Sequence, residues 1–281
     1  AADSVLIENA RELGLFQQAG LEVKTLPFKS ALEVSAALKA GRLDGYFGDL
    51  MNVILNNASG ASLEVIASTT HTTPLQRHFG LAVSPKSKDK ITSLKDLHNT
   101  DTAVSSGTII AYLLQRMKDS TALSQDALHE VEVKQIPIRL QMLLLGKIDT
   151  ALLPEPLLTL VETKGGCVLW DDRHLNEALA VIAVKKNILS ADKLRAFRLA
   201  LSKSAALIEA YPEKYRALMV ERRLLPKDAA SSYQMLRFSL FNTADHLPPL
   251  PSDDEVLRVE QWMMSEKLIK EIQTPSSLIR K

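Results

Sequence analysis

The sequence predicts an α/β protein of two doubly wound lobes joined by two crossing segments, with C-terminal helices packed on the first lobe. Three observations carry this. Short apolar runs of strand length alternate with helical stretches over most of the chain. One phrase occurs twice, as ALKAGRLDGYFGDL at 37–50 and LLLGKIDTALLPEP at 143–156. In it Gly41, Arg42, Leu43 and Asp44 correspond to Gly146, Lys147, Ile148 and Asp149. Each glycine suits the left-handed conformation that ends a helix and turns the chain straight into a strand. From 190 onward the pattern is helical, broken only by Pro-rich turns.

In chain order, Asp3 and Ser4 can cap a helix through Leu6, Ala10 and Leu13, and Gly14 and Gly20 provide stops. LEVKTLPF at 21–28 reads as a strand, and Ser30 as the N-cap of a helix over 31–39. Gly41 leads to a strand at 45–47 and a helix at 50–58; strands follow at 63–69 and 79–83. Residues 84–88, SPKSK, are the expected first crossing. The second lobe then takes a helix at 93–97, a strand at 101–105 and an apolar helix at 109–117. A strand at 129–136 runs into Pro137, which fits the first turn of the next helix. Gly146 ends that helix before a strand at 150–153; Glu155 and Pro156 begin another helix, and CVLW at 167–170 is a strand. Residues 171–176 cross back to a strand at 179–185, and helices are expected at 192–211, 212–223, 227–238 and 253–268. The resulting division is 1–84 for the first part of lobe 1, 85–175 for lobe 2, and 176–281 for the rest of lobe 1. A doubly wound lobe ordinarily starts on a strand, and none precedes Asp3; such a strand either lies upstream or is absent.

Composition narrows the function classes. The 281 residues suffice for two lobes of ordinary size, and a net charge of +1 shows no bias toward nucleic acid or anionic membrane. Basic residues are scattered among acids, as on a solvated surface. The single cysteine, Cys167, excludes an intrachain disulfide framework and a multi-cysteine metal site. It starts a strand, which reads as buried and inert. His71 and His78 have no acidic residue between them, a poor metal pattern. Neither a Gly-rich phosphate loop nor a Gly-x-Ser-x-Gly elbow is present. No cofactor and no nucleic-acid partner are expected.

In open α/β sheets a ligand sits beyond the carboxyl ends of the strands, where helix N-termini present N–H groups that favour anions and polar acceptors. Ser105, Ser106, Gly107 and Thr108 are the foremost candidates: hydroxyls, a glycine permitting close approach, and a helix start. Ser30 has the same placement in lobe 1. Each can equally be an ordinary N-cap. Asp49 either accepts from a ligand donor or caps the helix at 50–58. Thr69, Thr70 and His71 follow a strand and should face the cleft, with His71 a pH-sensitive contact or a surface histidine. Glu155 either pairs with a ligand amine or sits favourably on a helix dipole. Trp170 stacks on a planar ligand or packs in the core.

The segments ARELGLFQQAGLEVKTLPF, ALKAGRLDGYFGDL, ITSLKDLHNTDTAVSSGT, LLLGKIDTALLPEP and PPLPSDDEVLRVEQWMMSEKLIKE occur in an order and spacing that cover nearly the whole chain. In these it resembles the periplasmic substrate-binding proteins of ABC importers, in the SsuA/THI5-like, NMT1-like branch of nitrate, sulfonate, taurine and thiamin-pyrimidine binders. The resemblance implies a periplasmic-binding-protein type II fold that closes by hinge motion on a small polar solute, an anion among the options, as a monomer. It also implies an ABC permease as partner, a periplasmic or membrane-anchored extracytoplasmic location, and no catalysis. Glu155 matches the family's Glu-Pro. Enzymes on the same fold are the alternative, desulfinase-like or menaquinone-pathway-like, as is a ligand-sensing ectodomain. The desulfinases use a first-lobe cysteine, whereas Cys167 falls in the second lobe, and the Cys-rich motif of the thiamin-pyrimidine synthases is missing.

Overall fold

The computed structural model describes residues 2–28, 31–121, 123–124 and 127–280. Among these, strands form two sheets. In the first, β8 (Ala178–Lys185) lies between β1 (Gly45–Gly48) and β2 (Leu63–His71) and is antiparallel to both. Both β2 and β8 are buried along nearly their whole length, which fits apolar runs covered on two faces. Leu63 and Val65 of β2, with Val181 and Ala183 of β8, face the core that includes α4 (Leu50–Ala58) and α10 (Asp253–Ser265). Ile66, Ala67, Ile182 and Val184 face the opposite core, with α1 (Val5–Glu12), α8 (Ala191–Ala210) and α9 (Pro212–Glu221). There Phe16 stacks on Phe197 with ring centroids 4.8 Å apart. The short helix α2 (Leu15–Gln18) carries Phe16, and α11 (Pro275–Leu278) leads to Ile279, which bridges the outer edge of β2 at Val65.

The second sheet has the order β5-β4-β6-β3-β7: Leu128–Glu132, Thr100–Val104, Thr150–Pro154, Phe79–Val83 and Cys167–Asp171. Strands β5, β4 and β6 are parallel, while β3 runs antiparallel to β6 and β7. Helices α5 (Ile109–Thr121), α6 (Ile136–Leu144) and α7 (Leu157–Thr163) complete this lobe. As the repeated phrase implied, Gly41 and Gly146 end their helices at φ of 70° and 65°. The helix α3 (Ala31–Lys39) precedes Gly41.

Three elements differ from the sequence-based expectation. Residues 21–26 alternate half-buried and exposed side chains as a strand would, yet 21–28 join neither sheet. An alternating pattern sets faces, but a ladder needs a neighbouring strand. The first crossing lies at 72–78 rather than 84–88, because β3 pairs within the second sheet. An apolar strand such as FGLAV fits the core of either sheet, so its sequence does not assign it. The helix expected at 227–238 is reduced to short 3-10 turns, Lys227–Ala229 and Phe238–Phe241. Side chains from elsewhere take its backbone groups instead: Gln76 Nε2 donates to Met235 O (2.9 Å), and Arg216 Nη1 to Tyr233 O (2.7 Å).

Candidate functional site

Topology brings two strand edges face to face. β2 leaves its sheet at its carboxyl end, and residues 72–78 carry the chain to β3, whose Phe79 lies opposite Pro154 at the carboxyl end of β6. The return segment 172–177 starts beyond Asp171 at that same edge and reaches Ala178, opposite His71. The two crossings are bonded together: Thr72 N–H donates to Glu177 O (3.0 Å), and His78 N–H to Asp172 Oδ1 (2.9 Å). The carboxyl ends of β1 and β2 therefore look toward those of β4, β5 and β6 across this pair.

Helix starts at these edges are occupied by the protein's own carboxylates. Asp49 is the N-cap of α4, accepting from Asn52 N (2.9 Å) and from the Asn52 side chain. Its own N–H donates to the Tyr46 hydroxyl at 3.1 Å. Asp3, in the 3-10 turn Ala2–Ser4 that leads into α1, accepts from the Thr70 hydroxyl (3.4 Å). Burial raises the pKa of both carboxyls above the ordinary range. In the second lobe the N–H and hydroxyl of Ser106 donate to Glu132 Oε2, at 2.9 and 2.6 Å. Thr108 caps α5, accepting from Ile110 N (3.2 Å) while donating to Ser105 O (2.7 Å). Glu155 accepts from Thr159 N (3.2 Å) in the first turn of α7 and from Arg77 Nε (2.7 Å).

The remaining expected residues serve other contacts. Thr69 donates its hydroxyl to Ala180 O at 3.3 Å. His71 has Nδ1 2.8 Å from Thr72 O and Nε2 2.7 Å from Glu255 Oε1. Both ring nitrogens face acceptors, which suits the imidazolium. Burial lowers its pKa, but Glu255 and the Thr72 carbonyl outweigh that and raise it. Trp170 lies one residue inside the end of β7, opposite Leu81, and packs against the core. Gly107 is left-handed at φ 69°, 3.4 Å from Leu268 where a Cβ would stand. Ser30 lies outside the described residues. Cys167 is half-buried rather than buried and pairs with Val83, at the end of the sheet opposite to this edge.

Two features of this region escaped the sequence. Glu177, 1% exposed in its side chain, gathers the Tyr112 hydroxyl (2.8 Å), Arg116 Nε (2.8 Å) and Arg258 Nε (3.2 Å). It thereby ties α5 of one lobe and α10 to the second crossing, and Tyr112 and Trp262 meet edge to face at 5.3 Å beside it. A groove of about 420 Å³ runs between α5 and α10 here, but its arginines are already committed to Glu177. The second feature is Tyr233, 3% exposed, whose hydroxyl has no hydrogen-bond partner. Burial first, then the charges of Glu155 and Asp3, push its pKa up. No signal in its neighbourhood, AASSYQML, marks it for this place.

The NMT1/THI5 like family matches residues 3–215, and the chain belongs to it. No curated protein matches it by sequence. The structure is similar to the periplasmic aliphatic sulphonate binding protein SsuA from Escherichia coli, with a TM-score of 0.77, 19% identity, and coverage of 98% of this chain and 93% of that one. It is also similar to the alkanesulfonate-binding protein SsuA from Xanthomonas axonopodis pv. citri, with a TM-score of 0.75, 15% identity, and coverage of 99% and 95%. A third is the periplasmic nitrate-binding protein NrtA from Synechocystis PCC 6803, with a TM-score of 0.73, 10% identity, and coverage of 99% and 83%. These likenesses establish the periplasmic-binding-protein fold for the chain. Among the described residues no helix is long and apolar enough to cross a membrane.

Proposed function

We propose that this protein is a solute-binding protein that captures a small polar molecule between its lobes and delivers it to an ABC permease. The observation that carries the reading is the pair of strand edges held face to face by two bonded crossings. Such a crevice admits a ligand to both lobes at once, and closure about the crossings retains it. Family membership and the periplasmic binding proteins among its structural neighbours support the same reading. On this reading the protein acts as a monomer, outside the cytoplasm, without making or breaking bonds. Ser105, Ser106, Gly107, Thr108, Asp49, Thr70 and Glu155 belong to the crevice rim.

The test is a thermal-shift screen over a broad solute library, with mass spectrometry of the mixture before and after incubation. A solute that binds only the folded form raises the melting temperature. The reading expects at least one such solute, recovered chemically unchanged. Conversion of that solute to a new product would make the protein an enzyme instead.

A further inference from the structure

The two lobes meet in two places besides the crossings, and the two meetings differ in kind. In one, α5 of the second lobe lies against α10, which packs with α4 on the first. Ile110, Leu113 and Met117 of α5 share one buried apolar cluster with Val256, Val259 and Met263 of α10. Tyr112 and Trp262 meet edge to face at 5.3 Å. Leu268, just past α10, stands 3.4 Å from where a Cβ on Gly107 would be. Glu177 of the second crossing joins both helices, accepting from Tyr112 and Arg116 of α5 and from Arg258 of α10. Its side chain is 1% exposed, and Arg258 also donates to the neighbouring Asn176 carbonyl at 2.6 Å.

In the other, α7 of the second lobe meets the turn Lys227–Ala229 that follows α9. Among the described residues, Leu160 of α7 is the one buried second-lobe residue in the cluster around α1, α8 and α9, with Leu140 of α6 packed against it. The polar link on this side is Lys164 to Asp228, with both side chains about half exposed. An exposed ion pair holds weakly and is screened by salt. Parting the groups around Glu177 would instead strand a buried carboxylate without its partners. We propose that the lobes swing about the α5–α10 side, which stays joined through Glu177, while α7 parts from the 227–229 turn. The crevice then opens along one flank, and solute enters and leaves beside Lys164 and Asp228. Glu177 is a positioning residue: buried, it meets no solute and fixes where the axis of the swing lies.

The inference rests on the solute-binding reading and adds the direction of its motion. Its test needs no solute, so its failure leaves that reading to the library screen. Pulsed electron spin resonance measures distances between two spin labels on the full chain, with Cys167→Ser to remove the native thiol. Ser120→Cys with Glu266→Cys spans the α5–α10 side, and Thr163→Cys with Glu221→Cys spans the α7 side; all four positions are exposed. The expected result is one narrow distance for the first pair and a broad or two-peaked distribution for the second. Glu177→Gln, which keeps the shape and loses the charge, should cost the first pair its narrow peak. If that variant fails to fold, Arg116→Gln replaces it. Arg280→Gln breaks an ion pair to Glu64 inside the first lobe, 2.8 Å long, and should leave the first pair narrow. Narrow distances on both sides, broad ones on both, or breadth on the α5–α10 side alone overturns the proposal. So does a first pair that stays narrow without the Glu177 charge, or one that broadens equally in Arg280→Gln.

Discussion

Two buried polar centres, Glu177 at the second crossing and Tyr233 in the core beside α8 and α9, are built in opposite ways. At Glu177 a buried carboxylate receives a phenol and two guanidinium groups. At Tyr233 a buried phenol receives nothing. Both have a tyrosine hydroxyl at similar depth, 3% exposed in each case. The difference is in completeness. A fully satisfied network fixes the crossing against α5 and α10, and a low local dielectric strengthens it. An incomplete one costs the folded protein the desolvation of a group that bonds nothing.

The contrast can be broken at either centre. The largest effect is expected from Glu177→Ala, which leaves Arg116, Arg258 and Tyr112 facing a void. Removing one member of a buried ion pair costs about 3–5 kcal/mol, and denaturant unfolding measures it. A comparable effect is expected from pH at Asp172, at the start of the second crossing. Burial pushes that carboxyl up to about 7. A folded-state pKa above the usual 3.8 gives stability that is present in acid and lost as pH rises through about 7. Asp172→Asn keeps the acceptor for His78 N–H without the charge. Its advantage over the parent should grow from near zero at low pH to about 4 kcal/mol above pH 8. A constant difference across pH would place the titration elsewhere.

The smaller effects come from the two tyrosines and sharpen the comparison directly. Tyr112→Phe removes a hydrogen bond to a charged group and should cost about 1.5–3 kcal/mol. Tyr233→Phe removes a hydroxyl that bonds nothing in the unliganded protein, so stability should hold or rise by up to about 1 kcal/mol. Equal losses for both would mean that the two hydroxyls are equally satisfied, and the distinction would fall.

Local signals were legible in the sequence. The two glycine turns and the Asp49 and Thr108 caps follow from neighbours within a few residues. Among the described residues, the expected sites at Asp49, Ser106 and Thr108 bond to groups of the protein itself. The residues that cap a helix are the residue types that would bind a ligand, and only the partner distinguishes them. Ser106, in the loop after β4, bonds Glu132 at the end of β5, a partner its own neighbourhood does not announce. Tyr233 carries no local signal because Gln76 and Lys164, both distant in the chain, position its segment together with Arg216. The unladdered stretch 21–28 and the placement of β3 share that cause: a pattern tells which face a side chain takes, not which strand stands beside it.

The antiparallel position of β8 has a consequence for synthesis. Residues 79–171 hold every strand of the five-stranded sheet in one continuous stretch, whereas the three-stranded sheet lacks its middle member until residues 178–185 are made. As the nascent chain leaves the ribosome, the lobe encoded second can condense first, while the opening segment waits uncovered for its central strand.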